Sequence, residues 1–194
     1  MKENRALAYL QKNKLHLLRL TSAAMCIALA MVLPFLTGQI PQIGKMLAPM
    51  HIPVLLCGLL CGWPYGLAVG VISPMLRCLV FGTPAFVSAF AMCFELGGYG
   101  FLSGFLFNRL PKKLPYLYLS LIGGMLFGRV MGFVGKIAQL GLGQIDSYSL
   151  AAFWSGYVTG CLPGIILQIV LIPLLVLALR RAGLRLNDRL PELE

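Results

Sequence analysis

The chain has 194 residues, 59% of them hydrophobic and 11% charged, and a mean hydropathy of +0.85. Soluble domains carry roughly a quarter charged residues, and one of this length has no core able to hide so much apolar surface, a need that a bilayer removes. The formal charge of +10 gathers in three basic clusters beside apolar runs, which suits anionic lipid and orientation in a membrane and argues against a nucleic-acid partner.

In chain order, Lys2, Arg5, Lys12, Lys14 and Arg19 lead into an apolar run. It spans about 17–36 and is long enough to cross a ~30 Å hydrocarbon core. Pro34 to Thr37 follow it in place of an A-x-A-like cleavage site, so the run is expected to be a retained span and not a signal peptide. The turn-rich TGQIPQIGKMLAPM connects it to a second span at about 51–62, and Trp63-Pro64 turns tightly into a third at about 64–81. FGTP precedes a fourth at about 84–108, RLPKKLP a fifth at about 115–141, and LGQIDSYS a long sixth at about 149–180.

With six spans the termini share a side. The N-terminal cluster, Arg109, Lys112 and Lys113, and the tail cluster Arg180, Arg181, Arg185 and Arg189 then fall together, which places both ends in the cytoplasm. The expected fold is an all-α integral membrane protein. It is a compact bundle of six transmembrane helices, with residues 1–194 forming a single membrane domain. Glycines four residues apart (Gly58/Gly62, Gly66/Gly70, Gly100/Gly104, Gly124/Gly128/Gly132 and Gly156/Gly160/Gly164) predict close helix packing. The six cysteines lie in apolar runs without a C-x-x-C motif, so they read as small buried hydrophobes, and no metal or cofactor is expected.

Three charged residues, Arg77, Glu95 and Arg129, interrupt the spans. Each should face the bundle interior, since a lone charge in hydrocarbon costs at least ~2.5 kcal/mol. Counting from the neighbouring turns, Arg77 and Arg129 rise about 20 Å from the cytoplasmic side and Glu95 descends about 16 Å from the other. The three are expected to meet in the outer half of the membrane as a ligand pocket or as a helix-locking pair. Two arginines and one acid suit a carboxylate or phosphate, which a guanidinium grips bidentately. Tyr99 follows Glu95 by one helical turn, while Trp154 and Tyr157 enter the outer end of the sixth span, as ligand contacts or as interfacial anchors. In PMHIPVLL, Pro53 suits a first helical turn. His51 is placed at the mouth of the second span, whose start is expected to present free N–H groups to the cavity. The long connection before it has the reach of a lid.

The chain has no G-x-x-x-x-G-K-[ST] loop, its nearest approach being GFVGKI, and no H-E-x-x-H or G-x-S-x-G motif. Glu95 stands without a second intramembrane carboxylate, so acid–base catalysis is not expected. PMHIPVLLCGLLCGWPYGLAVGVISPMLR and AMCFELGGYGFLSGFL, within six spans, resemble the substrate-binding S component of the energy-coupling-factor (ECF) transporters. The resemblance covers nearly the whole chain and is closest to the pantothenate-type branch. It implies capture of a vitamin from outside a bacterial or archaeal cell membrane, followed by docking on a transmembrane coupling subunit and two ATPase subunits. The chain itself would then not be an enzyme. The family's A-x-x-x-A docking pattern falls here on Ala24 and Ala28. Other micronutrients (riboflavin, pyridoxine, folate, a queuosine precursor), a stand-alone proton-linked carrier using Glu95, and a membrane scaffold remain open on the sequence.

Overall fold

The computed structural model describes the backbone of residues 2–36, 44, 46–145, 147, 149–184 and 186. Side chains are described from residue 10 onward, apart from those of 150, 152 and 157–159. The described residues form helices α1 (Lys2–Leu36), α2 (His51–Cys61), α3 (Trp63–Phe81), α4 (Phe86–Arg109), α5 (Leu114–Gly141), α6 (Leu150–Phe153) and α7 (Leu162–Arg181), with no strand among them. Residues Leu10–Leu36 of α1, with α3, α4, α5 and α7, make five helices long and apolar enough to cross a membrane.

The helix α2 is different. It has only 11 residues and extends about 16 Å at a rise of 1.5 Å per residue, half the thickness of a bilayer core. All of its residues are buried, as expected of a helix that is apolar all round. It is enclosed by α1, α3, α4 and α7. Gly62, with φ +100°, takes a backbone conformation open to glycine and joins α2 directly to α3. The C-terminal end of α2 therefore lies beside the end of α4, and its first residue, His51, stops at mid-bundle opposite Glu95 and Tyr99.

Helix α4 is central, packing on α2, α3 and α5. The glycine stripes make these approaches possible. A Cβ on Gly66 would stand 2.5 Å from Gly100 O, one on Gly104 2.6 Å from Gly58 O, and one on Gly124 2.7 Å from Ser103 Cβ. Backbones meet where side chains would hold them apart.

The expected stripe Gly156/Gly160/Gly164 does not act this way. Among the described residues, nothing lies within 4 Å of a Cβ on Gly156, and of these three glycines only Gly164 packs on another segment, the Met46 and Leu47 carbonyls. The long sixth span is likewise interrupted, by a π-helical turn at Trp154–Val158 and a 3-10 turn at Thr159–Cys161. Pro163, in the first turn of α7, would clash with a carbonyl four residues back in a continuous helix. The glycines nearby favour helix weakly.

Candidate functional site

Two helices project an acid and a histidine toward each other in the middle of the bundle. Glu95, on α4, is 5% exposed, and His51, the first residue of α2, is 6% exposed. His51 Nε2 lies 3.3 Å from Glu95 Oε1. The imidazole also packs edge-on against Tyr99, one turn beyond Glu95, at 4.9 Å between centroids. Arg129 enters from α5 and is close enough to interact electrostatically with Glu95, Tyr99 and Cys161. Its position follows from the glycine beside it. A Cβ on Gly128 would stand 2.8 Å from Glu95 O and overlap the Tyr99 ring, so α5 approaches α4 at the level of the acid.

The cluster brings together four of the residues expected from the sequence: His51, Glu95, Tyr99 and Arg129. Its polar capacity is incompletely used, for His51 Nδ1 is buried without a hydrogen-bond partner. Buried polar groups are ordinarily paired, so an atom left open in a mixed-charge cluster fits a site that is completed by a ligand.

Arg77 goes elsewhere. Helices α3 and α4 are antiparallel, with Gly66 facing Gly100 and Gly70 facing Leu96 and Gly97. Continuing that register sets Arg77 about 9 Å beyond the level of Glu95. There it donates to the Met31 carbonyl of α1 and stacks on Phe35 and Phe81, at 5.0 and 5.2 Å from the ring centroids. The expected three-charge hollow is thus a cluster of Glu95, Arg129 and His51, with Arg77 bracing α3 on α1.

The expectation of free N–H groups at the start of α2 is corrected at its first three residues, where His51 N donates to Ala48 O at 3.0 Å, Ile52 N to Pro49 O at 3.4 Å, and Pro53 has no N–H. Trp154 is 61% exposed in the π-helical turn, outside the buried cluster, as suits an interfacial anchor. The Tyr157 side chain lies outside the described residues. Lys136, two turns beyond Arg129 on α5, donates to Gln139 Oε1 at 3.0 Å, and Gln139 in turn donates to Val87 O.

Sequence reasoning missed Gln168 of α7, which is 1% exposed. A glutamine inside ILQIVL is a polar side chain in a lipid-length helix, and that cost was the available signal. The turn before α2 runs alongside it, and residues 46–48 meet α7 at Gly164 and Gln168. Part of the connection expected to form a lid, residues 37–43 and 45, lies outside the described residues.

A groove of about 430 Å³ on the α3–α4–α5 face is distinct from the cluster. Leu67, Val71, Phe94, Phe101, Phe127 and Met131 line it together with two glycines and Cys93, so it holds no charged side chain.

The family model for the ECF transporter substrate-specific component matches residues 18–176. No curated protein and no solved structure matches the chain.

Proposed function

Because the chain belongs to the substrate-specific components of ECF transporters, we propose that it captures a small carboxylate-bearing nutrient in the His51–Glu95–Tyr99–Arg129 cluster, with pantothenate the leading candidate. Such a component is a binding subunit, and the family implies a module whose coupling and ATPase subunits supply the energy. The observation that carries the reading is the buried His51–Glu95 contact at 3.3 Å, joined by Arg129 from a third helix, with His51 Nδ1 left open beside it. Arg129 supplies the cation and planar fork for the carboxylate. Glu95 fixes His51 and balances the arginine, so the empty site is not a naked positive charge in hydrocarbon.

His51, Glu95 and Tyr99 are buried and Arg129 is partly exposed, so the arginine is the part of the cluster that an arriving carboxylate can meet. The mixed helix types at Trp154–Cys161 make the segment after α6 a place where the helix yields at low cost.

The partner surface is read on α1. Ala24 and Ala28 are exposed while Ala23, Cys26 and Ala30 are buried on the other side of the helix. Leu17, Leu20, Met25 and Val32 extend the exposed face with more than half of each side chain uncovered. We assign this face to the coupling subunit.

Mass spectrometry of small molecules retained by the purified protein tests the capture reading, and titration with pantothenate tests the candidate. Recovery of an acid whose retention is lost in Arg129→Ala supports it. A folded Arg129→Ala variant that retains the same acid overturns the pocket assignment. Uptake that follows a pH gradient without any ATPase would instead make Glu95 the proton site of a carrier.

A further inference from the structure

Residues four apart share a helix face, and two such series run side by side where α3 lies antiparallel to α4. Trp63, Leu67 and Val71 follow one another on α3, and Phe101, Phe105 and Arg109 do so on α4. The Trp63 ring meets Phe101 edge-on at 5.5 Å between centroids, Phe101 stacks on Phe105 at 5.9 Å, and the Arg109 guanidinium lies over the Phe105 ring at 5.0 Å. Leu67, Val71 and Phe101 also line the apolar groove of about 430 Å³, which reaches Phe94 along α4 and has Met131 in its α5 wall. Its floor is glycine, since a Cβ on Gly97 would stand 3.2 Å from Val71 Cγ2 and one on Gly98 3.0 Å from Met131 Cγ. An unbroken run of side chains thus leads from the groove to a cation.

The two ends of this run differ in character. No charged side chain lines the groove, whereas Arg109 is exposed at the start of the RLPKKLP loop, as is Lys113, and no carboxylate among the described residues pairs with the arginine. Eleven residues separate Phe105, where the guanidinium lies, from Phe94. That is about 17 Å of helix, close to the thickness of one leaflet, half of a ~30 Å core. Trp63, 39% exposed, packs its backbone against Gly104, next to Phe105, and an indole at that level suits the membrane interface.

We infer that this face binds one anionic phospholipid, its phosphate at Arg109 and one acyl chain laid past Phe105 and Phe101 into the groove. The lipid belongs to the leaflet bordering the 109–113 loop. A guanidinium meets phosphate with paired N–H donors as well as charge, and a chain sunk between α3 and α5 gains dispersion contacts on several sides. A neighbouring helix is a poorer occupant, because the groove follows α4 for only two turns, Phe94 to Phe101, and an apolar helix leaves the guanidinium unanswered. Groove and nutrient cluster share no residue, so this assignment stands apart from the capture reading.

The test is native mass spectrometry of the delipidated full chain in detergent, titrated with phosphatidylglycerol or phosphatidylcholine carrying the same acyl chains. Wild type, Arg109→Gln, Val71→Trp and Arg181→Gln are compared, with thermal unfolding recorded for each. Wild type should bind its first phosphatidylglycerol more tightly than its first phosphatidylcholine. Arg109→Gln should weaken phosphatidylglycerol by about fivefold, the weight of one basic residue at an anionic surface, and leave phosphatidylcholine unchanged. Val71→Trp, which fills the groove from an exposed position, should weaken both lipids. Arg181→Gln removes an equal charge from the end of α7 and should change neither. An unchanged Arg109→Gln, an equal loss in Arg181→Gln, or full affinity in folded Val71→Trp overturns the site. Displacement of the lipid by glycerol phosphate overturns the role of the chain and leaves a headgroup site alone. Dimers that Val71→Trp splits would give the groove to a second copy and overturn the lipid assignment.

Discussion

Arg77 and Arg129 are the same residue type in similar apolar surroundings, yet they do different work. Arg77 fastens α3 to the Met31 carbonyl and two phenylalanine rings of α1, whereas Arg129 joins Glu95 and Tyr99. Arg77→Met keeps the apolar stem and loses the donor. It should lower stability by about 1–3 kcal/mol and leave ligand affinity unchanged, a contrast that calorimetry with parallel thermal unfolding resolves. Glu95→Ala removes the acid from a buried, mixed-charge cluster. Leaving the partner charge uncompensated should cost about 3–5 kcal/mol, read as a fall in unfolding temperature together with loss of binding. A Glu95→Ala protein as stable as the wild type would show that the acid is not buried against its partners.

At the scale of the element, glycine spacing means different things in different helices. In α3, α4 and α5 it brings backbones into contact, while at Gly156 a Cβ meets nothing within 4 Å. Gly128→Val places its first carbon against the Tyr99 ring and the Glu95 carbonyl, so α5 must withdraw from α4. The cost of such overpacking is about 1–3 kcal/mol or more, and ligand binding should fall with stability because the cluster is built across this contact. Gly156→Ala should leave the unfolding temperature unchanged. A stability loss at Gly156 matching that at Gly128 would contradict the packing described. Helix α2 makes a related point. Eleven residues are too few to cross a core of ~30 Å, and that shortness is what brings a histidine to mid-bundle instead of to a surface.

Across the whole molecule, the proposed binding site and the proposed docking face lie apart. The buried cluster lies among α2, α4 and α5 with α7 beside it, while the exposed face of α1 carrying Ala24 and Ala28 looks away from it. Trp at both alanines should therefore block ATP-driven uptake in vesicles containing the full module, yet leave ligand affinity of the isolated chain intact. Loss of both together would place the docking face and the pocket on one structural unit. A charge of +10 concentrated near helix ends favours the orientation with basic ends in the cytoplasm, which accessibility labelling of single introduced cysteines would measure.

Membrane class, the all-helical bundle, the tight α2–α3 turn at Trp63 and the family were legible in the sequence. Each follows from local quantities: apolar run length, the position of prolines and glycines, and motif order. His51, Glu95, Tyr99 and Arg129 were legible as candidates because a titratable or polar group in an apolar run is costly wherever the run lies. Which of them meet was decided by tertiary structure. The glycine contacts set the register of α3 on α4, and that register carries Arg77 past Glu95 to α1. The short α2 sets the depth of His51, and the fold of the chain before α2 presents the Ala48 carbonyl to Gln168, 120 residues away. Such pairings depend on the relative rotation and axial offset of packed helices, to which a residue count along one helix is blind.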